Sequence, residues 1–237
     1  AFGRAYCFGP TFRAENSNTR RHLTEFWMVE PEVAYMDLEG DMELAEGLVQ
    51  AIVRRVLEKC SSQLKILERD TKPLEAVING AFPRISYTEA VEIIREAGVD
   101  FNWGDDFGGT DETIVGSKFN QPVIVYGYPK EIKPFYMKTD SENPKIVRNM
   151  DILAPEGYGE IIGGGQREED YQTLVNAIQE QGLKPENYKW YTDLRKYGSV
   201  PHAGFGLGVE RCVAWICGLP HVRETGAFPR LPKRLKP

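Results

Sequence analysis

The sequence has few of the residues that build metal centres and disulfide frameworks. Its 237 residues include three histidines and four cysteines, which are Cys7, Cys60, Cys212 and Cys217. The cysteines lack the CxxC spacing common in zinc sites, so no zinc centre is predicted. Cys212 and Cys217 fall in an apolar helical segment, which predicts that both are small core residues.

The sequence also has no long apolar run and has fewer basic than acidic residues. No run reaches the length of a membrane-spanning helix, so no membrane association is predicted, and a reducing cytoplasm is the expected location. The 29 basic and 35 acidic side chains give a formal net charge of −6. That balance argues against nucleic-acid binding over the whole surface, and it allows only local basic patches such as Arg20, Arg21 and His22.

Glycine is concentrated near the C-terminal end, in the segment GFGLGVER at 204–211. Gly204, Gly206 and Gly208 alternate, so they are predicted to share one face of a strand and to leave its backbone bare for a flat ligand. Glu210 and Arg211 follow where a helix should begin, which suits a phosphate. The segment predicts a nucleotide site, and the alternative is a glycine-rich junction that serves packing only.

A second motif lies near the N-terminal end. Two β-prone runs, at 6–12 and 25–35, flank a polar segment at 14–24 that is longer than a tight hairpin needs. Arg13 and Glu15 are expected to share a face because strand side chains repeat every second residue. They predict either a phosphate contact and a base contact or a solvated ion pair.

The two motifs, FRAENSNTRRHLTEFWMVEPE at 12–32 and GFGLGVER at 204–211, resemble the second and third signature motifs of class II aminoacyl-tRNA synthetases. Segments at 125–129, 134–138, 159–168 and 197–202 match further motifs in the family's order. The segment after Arg13 lacks the acid found in the aspartyl branch, and the glycine motif ends in Glu210-Arg211 rather than Asp-Arg. The resemblance therefore implies the asparaginyl branch.

Fold class follows from the pattern of elements and from the resemblance alike. Several strands, long helices and few βαβ alternations predict an α+β fold, and the family implies an antiparallel sheet flanked by helices. Helices are predicted at 41–68, 87–97, 110–119, 168–182 and 186–196, and strands at 122–128, 135–138, 149–153 and 159–165, with a loop at 75–83. Residues 1–237 are expected to form a class II catalytic domain without its N-terminal portion, because the anticodon-binding domain and the first signature motif are not recognised.

The resemblance implies a two-step reaction. Asparagine attacks the α-phosphorus of ATP to give asparaginyl-adenylate and pyrophosphate, and the acyl group then passes to tRNA(Asn). The implied cofactors are ATP and Mg²⁺, and the full-length enzyme is expected to be a homodimer. An alternative is a paralogue without tRNA function, such as an ammonia-using asparagine synthetase, and a third reading is an incomplete nucleotide-binding fragment.

The resemblance also implies roles for individual residues. Arg13 would hold the α-phosphate and Glu15 would accept from the adenine amino group. Phe26 would stack beneath adenine, with Arg211 either above the base or reaching the γ-phosphate. His22 would meet the outer phosphates. The full set of implied ATP contacts is Arg13, Glu15, His22, Leu23, Phe26, Glu160, Gly204, Gly206, Gly208 and Arg211, with Glu160 and Asp151 as the metal-binding acids. Without the family, Phe26 would be read as a core residue.

Discrimination between asparagine and aspartate requires hydrogen-bond polarity, because the two are nearly isosteric. Arg167 is expected to donate to the side-chain carbonyl oxygen, and Glu30 to accept from the amide while repelling aspartate. The alternative places Glu30 and Glu32 on an outward strand face, paired with cations.

Overall fold

The computed structural model describes residues 2–14, 16–17, 19–234 and 236. In this part of the chain seven strands form one sheet in the order β1-β2-β7-β6-β5-β4-β3. Neighbours run antiparallel except β3 and β4, which are parallel. The strands are β1 (Arg4–Phe12), β2 (Glu25–Ala34), β3 (Arg84–Ser86), β4 (Val123–Tyr126), β5 (Asn149–Ala154), β6 (Gly159–Gln166) and β7 (His202–Gly208). The predicted α+β class and antiparallel arrangement are confirmed.

Eight α-helices are interspersed with these strands in the described residues. They are α1 (Leu38–Lys59), α2 (Ser61–Ile66), α3 (Lys72–Val77), α4 (Tyr87–Glu96), α5 (Gly109–Gly116), α6 (Tyr171–Glu180), α7 (Lys189–Lys196) and α8 (Val209–Cys217). Short 3-10 helices lie at Lys130–Ile132, Pro185–Tyr188 and Val222–Thr225. Among the helices described, none is both long and apolar enough to cross a membrane.

Helices cover the two faces of the sheet unequally, and this positions the site. One apolar cluster joins α1 and α8 to β5, β6 and β7 through residues such as Val49, Ile162 and Trp215. A second cluster joins α4 and α5 to β4 and the end of β5 on the opposite face, around Tyr87 and Val125. Because α4 and α5 lie over β4 and β5 and reach only the start of β6, the surface over β2 and β7 is not covered by these two helices.

Strands β1 and β2 are paired up to the start of the long connection between them. Phe12 lies opposite Glu25, and the Arg13 N–H donates to the Thr24 carbonyl at 3.0 Å. The connection is then tied to the C-terminal part of the chain, because the Thr24 N–H donates to the Arg230 carbonyl and the Val222 N–H to the Arg20 carbonyl. A segment that the sequence presents as a loose loop is therefore anchored at several points.

Helix α4 begins as predicted. Ser86 caps it by accepting from the Glu89 N–H, while the Glu89 carboxylate accepts from the Ser86 N–H at 2.7 Å. This capping box satisfies two groups that a helix otherwise leaves without partners.

Three predicted elements are wrong in detail. The helix predicted at 41–68, with an apolar stripe of Leu44, Leu48, Ile52 and Val56, is two helices that meet at Cys60. Leu48, Ile52 and Val56 do pack against the core, but Leu44 is exposed. The fully buried apolar side chains of α1 are Leu38, Met42, Ala45, Val49 and Val53. Residues 135–138 form no strand; Met137 makes only an isolated bridge to Arg167. Residues 72–77, partly placed in a loop, form α3, which buries Leu74 and Val77.

Candidate active site

One cavity brings the two sequence motifs together on the open face of the sheet. It lies between the connection after β1, the ends of β2 and β7, the start of β6 and the first turn of α8. Its lining residues are Arg13, Arg21, His22, Leu23, Phe26, Met28, Glu160, Ile161, Gly206, Gly208, Glu210, Arg211 and Val222. Residues almost 200 positions apart in the sequence therefore share one space.

The alternate glycines of β7 lie on one strand face, but they do not all open into the cavity. Gly206 and Gly208 line it, and a Cβ on Gly206 would overlap the terminal methyl of Met28. At Gly204, a Cβ would overlap the Glu32 carboxylate and the Pro31 carbonyl. Gly204 is thus covered by β2, and the bare backbone facing the cavity is limited to the other two glycines.

Arg13 and Phe26 form one wall of the cavity. The Arg13 guanidinium lies 5.2 Å from the centroid of the Phe26 ring, so the cation and the aromatic face are close together. Phe26 also packs against the small buried cluster of Leu23, Ala214 and Val222. It therefore combines a core role with a flat surface turned to the cavity.

Arg211 forms the opposite wall and connects three segments. Its Nη1 donates to both the carbonyl and the Oε2 of Glu160 at 3.0 Å, and its Nε donates to the Arg21 carbonyl at 3.3 Å. Its Nη2 lies 3.4 Å from His22 Nε2, and His22 Nδ1 lies 2.5 Å from Thr19 Oγ1. The arginine at the start of α8 thus orients the loop histidine and the acid of β6.

Glu160 and Asp151 converge over Gly163. A Cβ on Gly163 would lie 2.8 Å from Glu160 Oε1 and 3.2 Å from Asp151 Oδ1, so the missing side chain leaves room for both carboxylates. Burial by itself raises the pKa of Glu160, but the positive charges of Arg211 and Lys133 outweigh it and leave the pKa below its ordinary value. Glu160 is accordingly held ionised beside the cavity.

Asp151 is less available than Glu160. Lys133 Nζ lies 2.7 Å from Asp151 Oδ2 and 3.9 Å from the centroid of the Tyr128 ring. Burial raises the pKa of Asp151, while Lys133 opposes the rise. Within the described residues, no group of three or more histidine, cysteine or acidic side chains is placed to hold a metal. Two acids still fit Mg²⁺, which prefers few protein carboxylates together with phosphate oxygens and water.

Arg167 lies further along the same face, beyond β6. Its Nε and Nη2 donate to the two oxygens of Glu32 at 3.1 and 3.2 Å, and its guanidinium lies 5.6 Å from the centroid of the Tyr136 ring. Glu30 is exposed, and its Oε1 lies 3.9 Å from the position of a Cβ on Gly206. Glu30 therefore stands between the cavity and Arg167, while Glu32 is the acid paired with Arg167.

Comparison with known proteins agrees with this geometry. The family model described as tRNA synthetases class II (D, K and N) matches residues 1–232. The chain belongs to the class II tRNA synthetases. This family membership confirms the resemblance inferred from the two sequence motifs.

The similar proteins act on asparagine or aspartate by name. An asparagine–tRNA ligase of Sorangium cellulosum is 59% identical over 249 aligned positions, covering all of this chain and 56% of the relative. The crystal structure of asparaginyl-tRNA synthetase from Pyrococcus horikoshii complexed with asparaginyl-adenylate superposes with a TM-score of 0.96 at 52% identity, over 99% of this chain and 54% of that one. The aspartyl tRNA synthetase of Entamoeba histolytica superposes with a TM-score of 0.87 at 33% identity, over 99% of this chain and 49% of that one. The chain spans about half the length of the curated relatives it matches.

Within this class II synthetase chain, sequence motifs located part of the site and missed the rest. Arg13, His22, Leu23, Phe26, Glu160 and Arg211 meet in one cavity, whereas Gly204 is covered and Glu15 lies outside the described residues. Glu32 is paired with a cation, as the alternative for Glu30 and Glu32 predicts, but the sequence did not identify Arg167 as its partner. Arg21, Glu112 and Lys133 were also missed as site-supporting residues, because nothing local in the sequence indicates their partners.

Proposed function

We propose that residues 1–237 belong to the catalytic domain of an asparagine–tRNA ligase. The observation that carries the proposal is the single cavity in which Arg13, Phe26 and Arg211 surround the bare backbone of Gly206 and Gly208. Such a cavity combines a flat aromatic surface with two guanidinium groups, as an adenine and a phosphate chain require. The names of the similar proteins favour asparagine as the amino acid.

In the first step, a carboxylate oxygen of asparagine attacks the α-phosphorus of ATP. A new P–O bond forms, the bond between the α-phosphorus and the bridging oxygen breaks, and pyrophosphate leaves with the electron pair. Arg13 would donate two hydrogen bonds to the α-phosphate and neutralise the charge that grows there. Little covalent chemistry is asked of the protein, so positioning and charge neutralisation supply the acceleration.

Glu160 and Asp151 are the residues that would hold Mg²⁺. When bound, the ion supplies charge neutralisation on the phosphate oxygens. Independently of the ion, Glu160 accepts from Arg211 and so fixes the guanidinium at the cavity wall. Lys133 forms an ion pair with Asp151 and so places a positive charge beside that carboxylate.

Selection of asparagine would depend on Glu30 and Arg167. Arg167 donates to a carbonyl oxygen and Glu30 accepts from an amide, so the pair matches a carboxamide and repels a second carboxylate. Glu32 holds Arg167 through two hydrogen bonds, which leaves fewer guanidinium donors free and fixes their direction.

The second step, transfer to tRNA(Asn), and the homodimeric state belong to the whole protein. The names of the relatives support tRNA as a substrate, and they favour a ligase over a paralogue without tRNA function. A longer protein that contains this chain should charge tRNA(Asn) if it is a ligase, and it should not if it is a paralogue without tRNA function. The cytoplasmic location stays a prediction.

The test of the first step is asparagine-dependent exchange of pyrophosphate into ATP. We expect exchange with asparagine and none above background with aspartate. Absence of exchange, together with normal ATP binding, would favour the incomplete nucleotide-binding fragment. Exchange with aspartate at the same rate would reject the proposed amino acid.

A variant of Glu30 tests the specificity. In Glu30→Gln we expect kcat/KM for asparagine to fall at least about tenfold, because one acceptor of the amide is weakened, while the KM for ATP stays within twofold. Glu92→Gln, an exposed glutamate on α4, is the control. Unaltered discrimination against aspartate in Glu30→Gln would remove Glu30 from the specificity determinants.

A further inference from the structure

A largely buried ion pair lies at the edge of the cavity, between the lining residue Arg21 and Glu112, and neither residue has an assigned part in the reaction. Arg21, in the connection between β1 and β2, donates through Nη1 to Glu112 Oε2 at 2.7 Å. Its Nη2 donates to Thr113 Oγ1 at 2.7 Å and to the Gly157 carbonyl at 2.6 Å. The Arg21 and Glu112 side chains are only 11% and 16% exposed, so this pair is not a solvated surface contact.

The same carboxylate oxygen of Glu112 also fixes the strand that carries Glu160. Glu112 Oε2 accepts from the Glu160 backbone N–H at 2.8 Å, so a single oxygen joins α5, the connection and the start of β6. Gly159 makes the approach possible, because a Cβ there would overlap both the Arg21 guanidinium and the Glu112 carboxylate. The backbone at Gly159 has φ +70°, which favours glycine on independent grounds.

Two ligand-facing groups depend on this arrangement. The Arg21 carbonyl accepts from Arg211 Nε, and His22, the next residue, lies beside Arg211 Nη2. Glu160, whose N–H is held by Glu112, accepts from Arg211 Nη1 through its side chain. Movement of Arg21 would therefore shift His22 and Arg211, and movement of Glu112 would shift Glu160.

We propose that Arg21 and Glu112 are positioning residues for ATP: their ion pair holds the connection after β1 and the Glu160 end of β6 in one arrangement, so that His22, Arg211 and Glu160 face the phosphates together. The inference rests on the proposed function for its effect on ATP. That the ion pair holds the connection between β1 and β2 in place, however, can be tested on the chain without any ligand. A guanidinium suits the role because its Nη1 and Nη2 are held apart in a rigid plane and reach acceptors on separate segments, whereas a lysine offers all its donors from one nitrogen.

The first measurement is hydrogen–deuterium exchange of the chain without ligand. In Glu112→Gln we expect peptides that cover residues 19–24 to exchange at least about tenfold faster than in the wild type, because the loop loses its charged anchor. Glu46→Gln is the matched control, since Glu46 is 13% exposed, accepts from a backbone N–H and faces Arg84, yet lies away from the cavity. Unchanged exchange of residues 19–24 in Glu112→Gln would overturn the proposal.

The second measurement is ATP–pyrophosphate exchange. For Glu112→Gln we expect the KM for ATP to rise about tenfold while the KM for asparagine stays within twofold, a split that general loss of folding would not produce. Arg21→Lys keeps the charge and should give the same split, and the double variant should be no worse than either single one because the two residues act as a unit. Equal changes in both KM values, or additive effects, would contradict positioning. If the wild type itself shows no asparagine-dependent exchange, the proposed function fails, and hydrogen exchange still decides the claim about the connection.

Discussion

At the scale of single residues, Asp41 is the side chain whose surroundings suit its charge least. It is fully buried in the first turn of α1, and neither carboxylate oxygen makes a hydrogen bond of normal geometry in the described part of the chain. Burial raises its pKa to about 7, and the neighbouring Glu32 adds to the rise, whereas Arg167 and the Gly165 N–H oppose it. At pH 8 the fold must therefore hold an ionised carboxylate in a place that favours the neutral acid.

The raised pKa predicts a pH dependence of stability. Because folded Asp41 keeps a proton that the unfolded chain has released, the contribution of Asp41 to stability should fall as the pH rises from about 3.8 to about 7. Asp41→Asn should increase the free energy of unfolding at pH 8 by up to roughly 4 kcal/mol, an upper bound from a shift of about three pKa units. Urea unfolding at pH 4.5 and pH 8 measures the difference. Asp100→Asn, at an exposed aspartate, is the control, and an equal effect of Asp41→Asn at both pH values would contradict the prediction.

The residues of the candidate site fall into two groups: those that a short sequence motif identifies and those whose contacts join distant segments of the chain. Arg13, Phe26 and Arg211 could be located from the sequence because short motifs carry them to the ends of strands. Other contacts join segments that are far apart, as when Arg21 meets Glu112 across 91 positions. Sequence periodicity describes one element at a time, so such pairs could not be predicted from it.

At the scale of elements, the glycines of β6 and β7 serve two different purposes. A Cβ on Gly206 would overlap only the flexible end of Met28 and would be in ordinary contact with Glu30, so no backbone atom crowds this position on the cavity side. A Cβ on Gly164 would lie 2.7 Å from the Gly204 carbonyl oxygen and would overlap Phe205, inside the sheet. The first glycine leaves space for a ligand, and the second leaves space for a neighbouring strand.

Two substitutions separate these purposes. Gly206→Val should abolish ATP binding, because its methyl groups fill the cavity, while the far end of Met28 moves aside and the fold is kept. Gly164→Ala should lower the free energy of unfolding by more than about 2 kcal/mol, since backbone atoms cannot move away. Calorimetric titration with ATP and thermal unfolding measure the two effects. Normal ATP binding by Gly206→Val would mean that this backbone does not face adenine.

The helices show which elements the sequence can predict. Helix α4, predicted at 87–97, is found at Tyr87–Glu96, and its capping box is formed by residues close together in the sequence, Ser86 and Glu89. The buried face of α1 was misplaced by about one position, since Leu44, Leu48 and Val49 offer overlapping apolar stripes and only packing on the sheet selects among them. Residues 135–138 have the composition of a strand, but Tyr136 and Lys138 hydrogen-bond to β6 only at its end and just past it, so a single isolated bridge forms there instead of a ladder.

At the scale of the whole molecule, the cavity exists only when distant parts of the chain fold together. Its walls come from the connection after β1, from β2, from the start of β6, and from β7 with α8. These segments span the chain from Arg13 to Val222, so opening any one of them dismantles the site. Under the proposed function, binding of ATP would therefore be coupled to the unfolding of the sheet as a unit rather than to one local loop.

This coupling predicts a thermal shift. ATP at a hundred times its dissociation constant should stabilise the folded chain by about 2.7 kcal/mol. For a chain of this size that corresponds to an increase in Tm of about 5–10 °C. Gly206→Val, measured under the same conditions, should shift by less than about 1 °C because it retains the fold without the space for adenine. An equal shift in the two proteins would place ATP outside this cavity, and no shift in the wild type would show that the assembled walls do not bind it.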